Sequence, residues 1–363
     1  MKLKQAQKKF ISLFLLCTAG IIIGIGILFF KPGTGKKIGT FLNEIAMTND
    51  GYSYAVGKAA PSVVNIYVAN LNENYTLPDN SSITSSASGV IMDKSGIIVT
   101  NYHVVPSGNE PNKAIFVQTR EGKVYQAFVV GCDRRTDIAV LRVNNVTLQP
   151  ISVSKKEVRI GDIVLAIGNP NNLGQTVTHG IISATARSGT GLVTRDQMNI
   201  RDGIQELIQT DAPINQGNSG GALINTKGEL VGINTASFSG ANTYGIGFSV
   251  PVKLVSEVMD EIIRHGKVER GYLGIADDET KNLGQNNGVT IGYVDPLGPA
   301  FGILKIGDVI TKVDDIPINN VKSLIYLISK SKPGYSMKFE IIRNNATKVY
   351  KITLAEDNTA VIN

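Results

Sequence analysis

Apolar and polar positions divide the chain into three regimes. The first is an uncharged run of 21 residues, Phe10 to Phe30. At about 1.5 Å per residue, a helix of that length crosses a hydrocarbon core of roughly 30 Å. Lys31-Pro32-Gly33 follows it rather than a small-residue cleavage site, so the pattern predicts an uncleaved anchor over a removed signal peptide. Residues 31–55 are polar and read as a linker or arm. From Ala60 the apolar residues gather into short β-rich runs: Ser62–Val68, Ala87–Met92, Ile97–Thr100, Ala114–Gln118, Val124–Val130, Ile138–Val143, Ile163–Ile167, Thr176–Ala184, Gly221–Ile224 and Leu230–Asn234. The turn Asp93-Lys94-Ser95-Gly96 makes a hairpin of the second and third. Many short strands with no helical period between them predict an antiparallel barrel or sandwich. Residues 70–87 and 186–206 read as long polar loops.

The period changes at Pro251–Arg264, where Val252, Val255, Val258, Met259, Ile262 and Ile263 follow helical spacing and Gly266 supplies a stop. A second small unit of strands with one helix near Val321–Ser329 runs from Gly271 to about Ala355. The divisions expected are therefore a cytoplasmic N-terminus (1–9), an anchor (10–30), a linker (31–55), a β-rich domain (56–266) and a small α+β domain (267–358).

Composition changes this picture little. With 42% hydrophobic and 18% charged residues, the 363-residue chain can build cores and is not a disordered polymer. Its 38 glycines suit tight turns between strands. Of the basic residues behind the net charge of +6, the densest group is Lys2, Lys4, Lys8 and Lys9, beside the apolar run. That placement reads as a membrane flank and not a nucleic-acid surface, and it favours an N-terminus inside with the bulk outside the cytoplasm. Cys17 and Cys132 are too differently placed to pair. Dispersed histidines and the lack of a Cys cluster give no reason to expect a metal, and no cofactor is implied.

A serine hydroxyl becomes a nucleophile only beside a positioned base, usually His, whose tautomer an acid fixes. Only three histidines are available. His179 lies inside a β-like run and His265 at a helix end, and both read as structural or exposed. His103 follows a strand directly. Asp137 precedes the apolar run Ile138-Ala139-Val140-Leu141. Ser219 sits in Gly217-Asn218-Ser219-Gly220-Gly221, whose glycines allow successive N–H groups to point at one spot, as an oxyanion requires. The order His103, Asp137, Ser219 is that of chymotrypsin-type enzymes, which are also all-β.

Those segments, with Ala60–Asn65, Ser88–Ile91, Ala166–Pro170, Leu173–Thr178, Gly180–Ala184 and Gln209–Ala212, resemble the HtrA family of trypsin-like serine proteases, and within it the membrane-anchored branch with a single PDZ domain. The resemblance runs from about Tyr54 to Leu354. It implies a mainly β, trypsin-like double β-barrel protease domain followed by a small α+β PDZ domain, behind a transmembrane helix. It implies that Ser219 attacks, His103 moves the proton and Asp137 orients His103. Gly217 and Ser219 would supply the oxyanion hole, with Asn218 lining the loop. Asn234, Thr235 and Ala236 would form the substrate-binding strand. Tyr272, Leu273, Gly274 and Ile275 would form a loop gripping a peptide C-terminus, and Arg187 would couple an activation loop to the PDZ domain.

The expected partners are an anti-sigma-factor-like membrane protein as substrate, C-termini of unfolded envelope proteins as activators, the inner membrane, and two further copies in a trimer. The catalytic part would lie in the periplasm. A general quality-control protease or chaperone, or a non-catalytic peptide-binding scaffold, are the competing readings. Departures from the family pattern are Asn171 in place of Tyr, His179 in place of Gln, a longer Ser188–Glu206 stretch, and a Gly298–Asp308 run shorter by one residue.

Overall fold

The computed structural model describes residues 51–70, 82–106, 112–169, 174–187, 207–215, 217–237, 245–278, 281 and 287–356. The Phe10–Phe30 run, Asn171, residues 188–206 and the side chain of Arg187 lie outside them. Among the described residues no helix is long and apolar enough to cross a membrane.

Six strands close a first barrel: β1 (Val63–Asn70), β2 (Ile83–Ile91), β3 (Ile97–Thr100), β4 (Lys113–Gln118), β5 (Val124–Asp133) and β6 (Ile138–Arg142), in the order β1-β2-β3-β6-β5-β4. The uninterrupted apolar runs have a simple cause. In β3 and β6 successive side chains alternate between two cores. Ile98, Ala139 and Leu141 fill the barrel, while Ile97, Val99, Ile138 and Val140 face a second core shared with the rest of the β-rich domain. Both faces are buried, so no polar alternation remains to be read.

The following strands are β7 (Ser152–Val153), β8 (Ile163–Gly168), β9 (Thr176–Arg187), β10 (Leu207–Thr210), β11 (Ala222–Asn225), β12 (Glu229–Ser237) and β13 (Gly247–Pro251); side chains of β8, β10, β11, β12 and β13 join the second core, and Ile182 of β9 packs with Val164, Ala166, Ile208 and Leu223 in a third. Their order is β11-β8-β9-β10-β13-β12, and β12 pairs back onto β11 to close a second six-stranded ring, with β7 added in parallel on β12. A short helix α1 (Ser53–Ala59) precedes the barrels, where a linker was expected to run to residue 55. Ala55 and Ala59 pin it into the shared core. Strand β2 likewise begins inside the expected 70–87 loop. Its polar start, Thr84-Ser85-Ser86, is held by ladder bonds to β1 rather than by apolar side chains. Strands β10 and β13 went unpredicted for a related reason: each is short and gains its partners only from the ring.

Helix α2 (Val252–His265) buries Val252, Val255, Val258 and Ile262 on one stripe and ends at Gly266, whose φ of 75° and N–H to the Ile262 carbonyl (2.8 Å) make the expected stop. The last unit contains β14 (Gly271–Tyr272), β15 (Ile275–Asp277), β16 (Val289–Val294), β17 (Val309–Val313), β18 (Ile316–Pro317), α3 (Val321–Lys330), β19 (Ser336–Arg343), β20 (Ala346–Thr353) and β21 (Ala355–Glu356). Its sheet runs β15-β16-β17-β19-β20 around a core centred on Phe339 and Ile341. The shortened run ending at Asp308 is closed by that residue's buried carboxylate, which accepts from Arg343 Nε and Nη2 at 2.6 Å each.

Candidate active site

His103 sits on a 3-10 turn, Tyr102–Val104, that follows β3. Asp137 precedes β6, the strand paired with β3, so barrel closure brings the two together. The Asp137 carboxylate lies 2.9 Å and 3.0 Å from His103 Nδ1 and accepts the His103 main-chain N–H at 3.1 Å. A carboxylate only accepts, so Nδ1 carries the proton and Nε2 is the unprotonated nitrogen of the neutral ring. Asp137 itself has φ of 55°, unusual for a residue with a side chain. Two bonds hold its carbonyl there, from the Tyr102 N–H (3.1 Å) and from Asn101 Nδ2 (3.0 Å). The Thr235 hydroxyl donates to the Asp137 Oδ2 atom from the other barrel. Asp137 is 2% exposed.

Ser219 comes from the loop between β10 and β11 in the second barrel. Its Oγ rests on the Thr235 carbonyl at 3.4 Å, a long and weak bond. The loop is folded tightly: the Asn218 N–H donates to Asn215 O (3.0 Å), Gly221 N–H to Asn218 O (2.9 Å) and Gly220 N–H to Asn234 O (2.8 Å). Asn218 thus spends its own N–H on the loop. Among the described residues the N–H groups of Gly217 and Ser219 meet no acceptor. Gly220 must be glycine on two counts. Its φ is 78°, and a Cβ would stand 2.1 Å from the Ser88 carbonyl oxygen.

Asn234 turns inward. Its N–H, its carbonyl and its side-chain amide are bonded to Gly221, Gly220, Ala222 and Ser249, which leaves it no group for a ligand. His179 and His265 are both exposed, on β9 and at the end of α2. Nothing local in the sequence marks Thr235 or Asn101 as partners of Asp137, because the barrels alone bring them there. Among the described residues no cluster of three or more His, Cys, Asp or Glu could hold a metal.

A second candidate site lies on the small unit. Tyr272, Leu273, Gly274 and Ile275 form the turn from β14 into β15. Gly274 has φ of 77° and packs so closely that a Cβ would meet the Gly298 Cα at 2.8 Å. Asp295 braces the turn: it accepts from the Tyr272 hydroxyl at 2.6 Å, and its N–H donates to Gly274 O at 2.9 Å. The Tyr272 bond holds the Asp295 carboxyl below its ordinary pKa.

Comparison with known proteins finds a family for each of the two domains. The trypsin-like peptidase domain family matches residues 87–233, and the PDZ domain family matches residues 271–354. Serine endoprotease DegS of Escherichia coli (strain K12) is 38% identical over 364 residues, covering 96% of this chain and 98% of that protein. Serine endoprotease DegS of Haemophilus influenzae is 39% identical over 314 residues, with 83% and 87% covered. Among solved structures, a serine endoprotease from Yersinia pestis aligns with a TM-score of 0.68 at 39% identity, over 84% of this chain and 98% of that one. The HtrA-type protease AlgW with a tripeptide aligns with a TM-score of 0.70 at 37% identity, over 84% and 97%. With two six-stranded barrels, a PDZ domain and relatives of this identity along nearly its whole length, the chain belongs to the HtrA family of trypsin-like serine endoproteases.

Proposed function

We propose that the chain is a membrane-anchored endoprotease that cleaves a membrane-bound regulator of the anti-sigma-factor type in the periplasm, and does so when its PDZ domain captures exposed C-termini of misfolded envelope proteins. In this reading Ser219 Oγ attacks the scissile carbonyl, and His103 Nε2 takes its proton and returns it to the leaving amine. Asp137 stabilises the imidazolium, while the Gly217 and Ser219 N–H groups hold the oxyanion. The observation that carries it is the His103–Asp137 pair at 2.9 Å, cross-linked to the nucleophile's barrel by Thr235. Thr235 and Ala236 offer the substrate-binding strand; Asn234 supports it from within. A small apolar residue such as Val is expected at the cleaved bond.

The turn Tyr272–Ile275 would bind a peptide carboxylate and let the peptide add a strand beside β15. Such a peptide activates only as far as it binds the active state better than the resting one. Arg187 would link the two domains, residues 10–30 would anchor the chain in the inner membrane, and three copies would assemble. A fluorophosphonate probe tests the core of this: it should label the wild type and fail on Ser219→Ala. Cleavage of a periplasmic reporter with and without a peptide of apolar C-terminus tests regulation, and equal rates would reject it.

A further inference from the structure

Ser88 lies on β2, in the barrel of His103 and Asp137, and is 0% exposed. All of its polar groups are occupied. Its N–H donates to Ser219 O at 2.9 Å, and its carbonyl accepts from Thr100 Oγ1 at 2.8 Å. Its hydroxyl donates to the Gly217 carbonyl at 2.7 Å and accepts the Asn169 N–H at 2.9 Å. A carbonyl oxygen can only accept, so the hydroxyl hydrogen is committed to Gly217 and a lone pair takes the Asn169 N–H.

Resting on Ser219 as the nucleophile, we propose that Ser88 is a positioning residue for the oxyanion loop. Its hydroxyl fixes the peptide plane between Gly217 and Asn218. That plane is gripped at both ends, by Ser88 Oγ on the carbonyl and by Asn215 O on the N–H at 3.0 Å. It is also the plane that separates the two free donors, Gly217 N–H and Ser219 N–H. Gly217 has φ of 96° and no Cβ, so sterics do little to hold its torsions and the hydrogen bonds set them. Space is already filled around the hydroxyl: a Cβ on Gly168 would come within 3.0 Å of it and within 2.7 Å of Asn218. Water cannot replace a hydroxyl lost from so closed a site. Ser88 therefore registers the oxyanion donors of one barrel against the base of the other, through Thr100 and the strand that leads into His103.

The test uses the full chain in detergent with a peptide of apolar C-terminus present. Turnover of a fluorogenic peptide with Val at the cleaved bond is measured, together with the affinity of a peptide boronic acid ending in boronovaline, which mimics the tetrahedral adduct. Wild type should turn over and Ser219→Ala should not. Ser88→Ala should lower kcat by about 10- to 100-fold with KM within about twofold, the range for a misplaced catalytic donor. Boronate affinity should fall by the same factor. Ser88→Cys, a weaker donor of similar shape, should fall between. A Ser88→Ala kcat within about twofold of wild type overturns the inference, as does a kcat loss that boronate affinity does not follow. If Ser88→Ala fails to fold, a Ser88→Cys enzyme with wild-type kcat overturns it. A wild type that neither turns over nor takes the fluorophosphonate label overturns the Ser219 reading and this one with it, whereas an active wild type with an unaffected Ser88→Ala overturns this one alone.

Discussion

Replacing Arg270 by Ala should destabilise the protein severely and damage catalysis at a distance. Arg270 leads into β14 of the PDZ domain, and its guanidinium forms a bidentate pair with Asp133, the last residue of β5. Arg270 is 9% exposed and Asp133 1%. The Asp133 carboxylate also takes the Thr136 hydroxyl, so the pair anchors the four-residue step that ends on Asp137. Removing one partner of a buried pair leaves an uncompensated charge, at a cost of about 3–5 kcal/mol. A domain of this size loses about 2–4 °C per kcal/mol, so the melting temperature should fall by roughly 10 °C. The assay is thermal unfolding of Arg270→Ala, Asp133→Asn and the double variant, read as a cycle. The double variant should recover part of the loss, since no buried charge remains. kcat should fall in Arg270→Ala below its melting range, because the Asp137 turn loses its anchor. A single-variant shift of under 2 °C, or losses that simply add, would refute the reasoning.

Two further outcomes follow from single contacts. Thr235→Val removes the hydroxyl bond to Asp137 and should lower kcat about 10- to 100-fold with KM little changed, by steady-state kinetics on the fluorogenic peptide, since the imidazolium then loses part of its support. Burial, and next the Asp133 charge, push the Cys132 thiol up to about 12. A raised value keeps the thiol protonated at pH 8, and only the thiolate reacts. In a Cys17→Ser background, iodoacetamide should therefore spare Cys132 in the native protein and modify it quickly in denaturant, by mass spectrometry.

The chemistry was legible in the chain because reactivity restricts residue type. Three histidines and one serine with glycine within two positions on both sides leave few combinations, and His103, Asp137 and Ser219 sit in turns beside strands that the apolar pattern marks. Strand runs and the helix at Val252–His265 were likewise readable, since burial of one stripe or of both faces imposes a period. Only the tertiary structure could decide which side chains support those three. Thr235, Ser88 and Asn101 reach the site across 98, 129 and 36 positions of chain to their partners Asp137, Gly217 and Asp137. Arg270 finds Asp133 across 137. Such contacts carry no local period or propensity. They arise as each barrel closes and as the barrels and the PDZ domain meet, and closure is a property of pairing between distant strands, which no window of sequence contains.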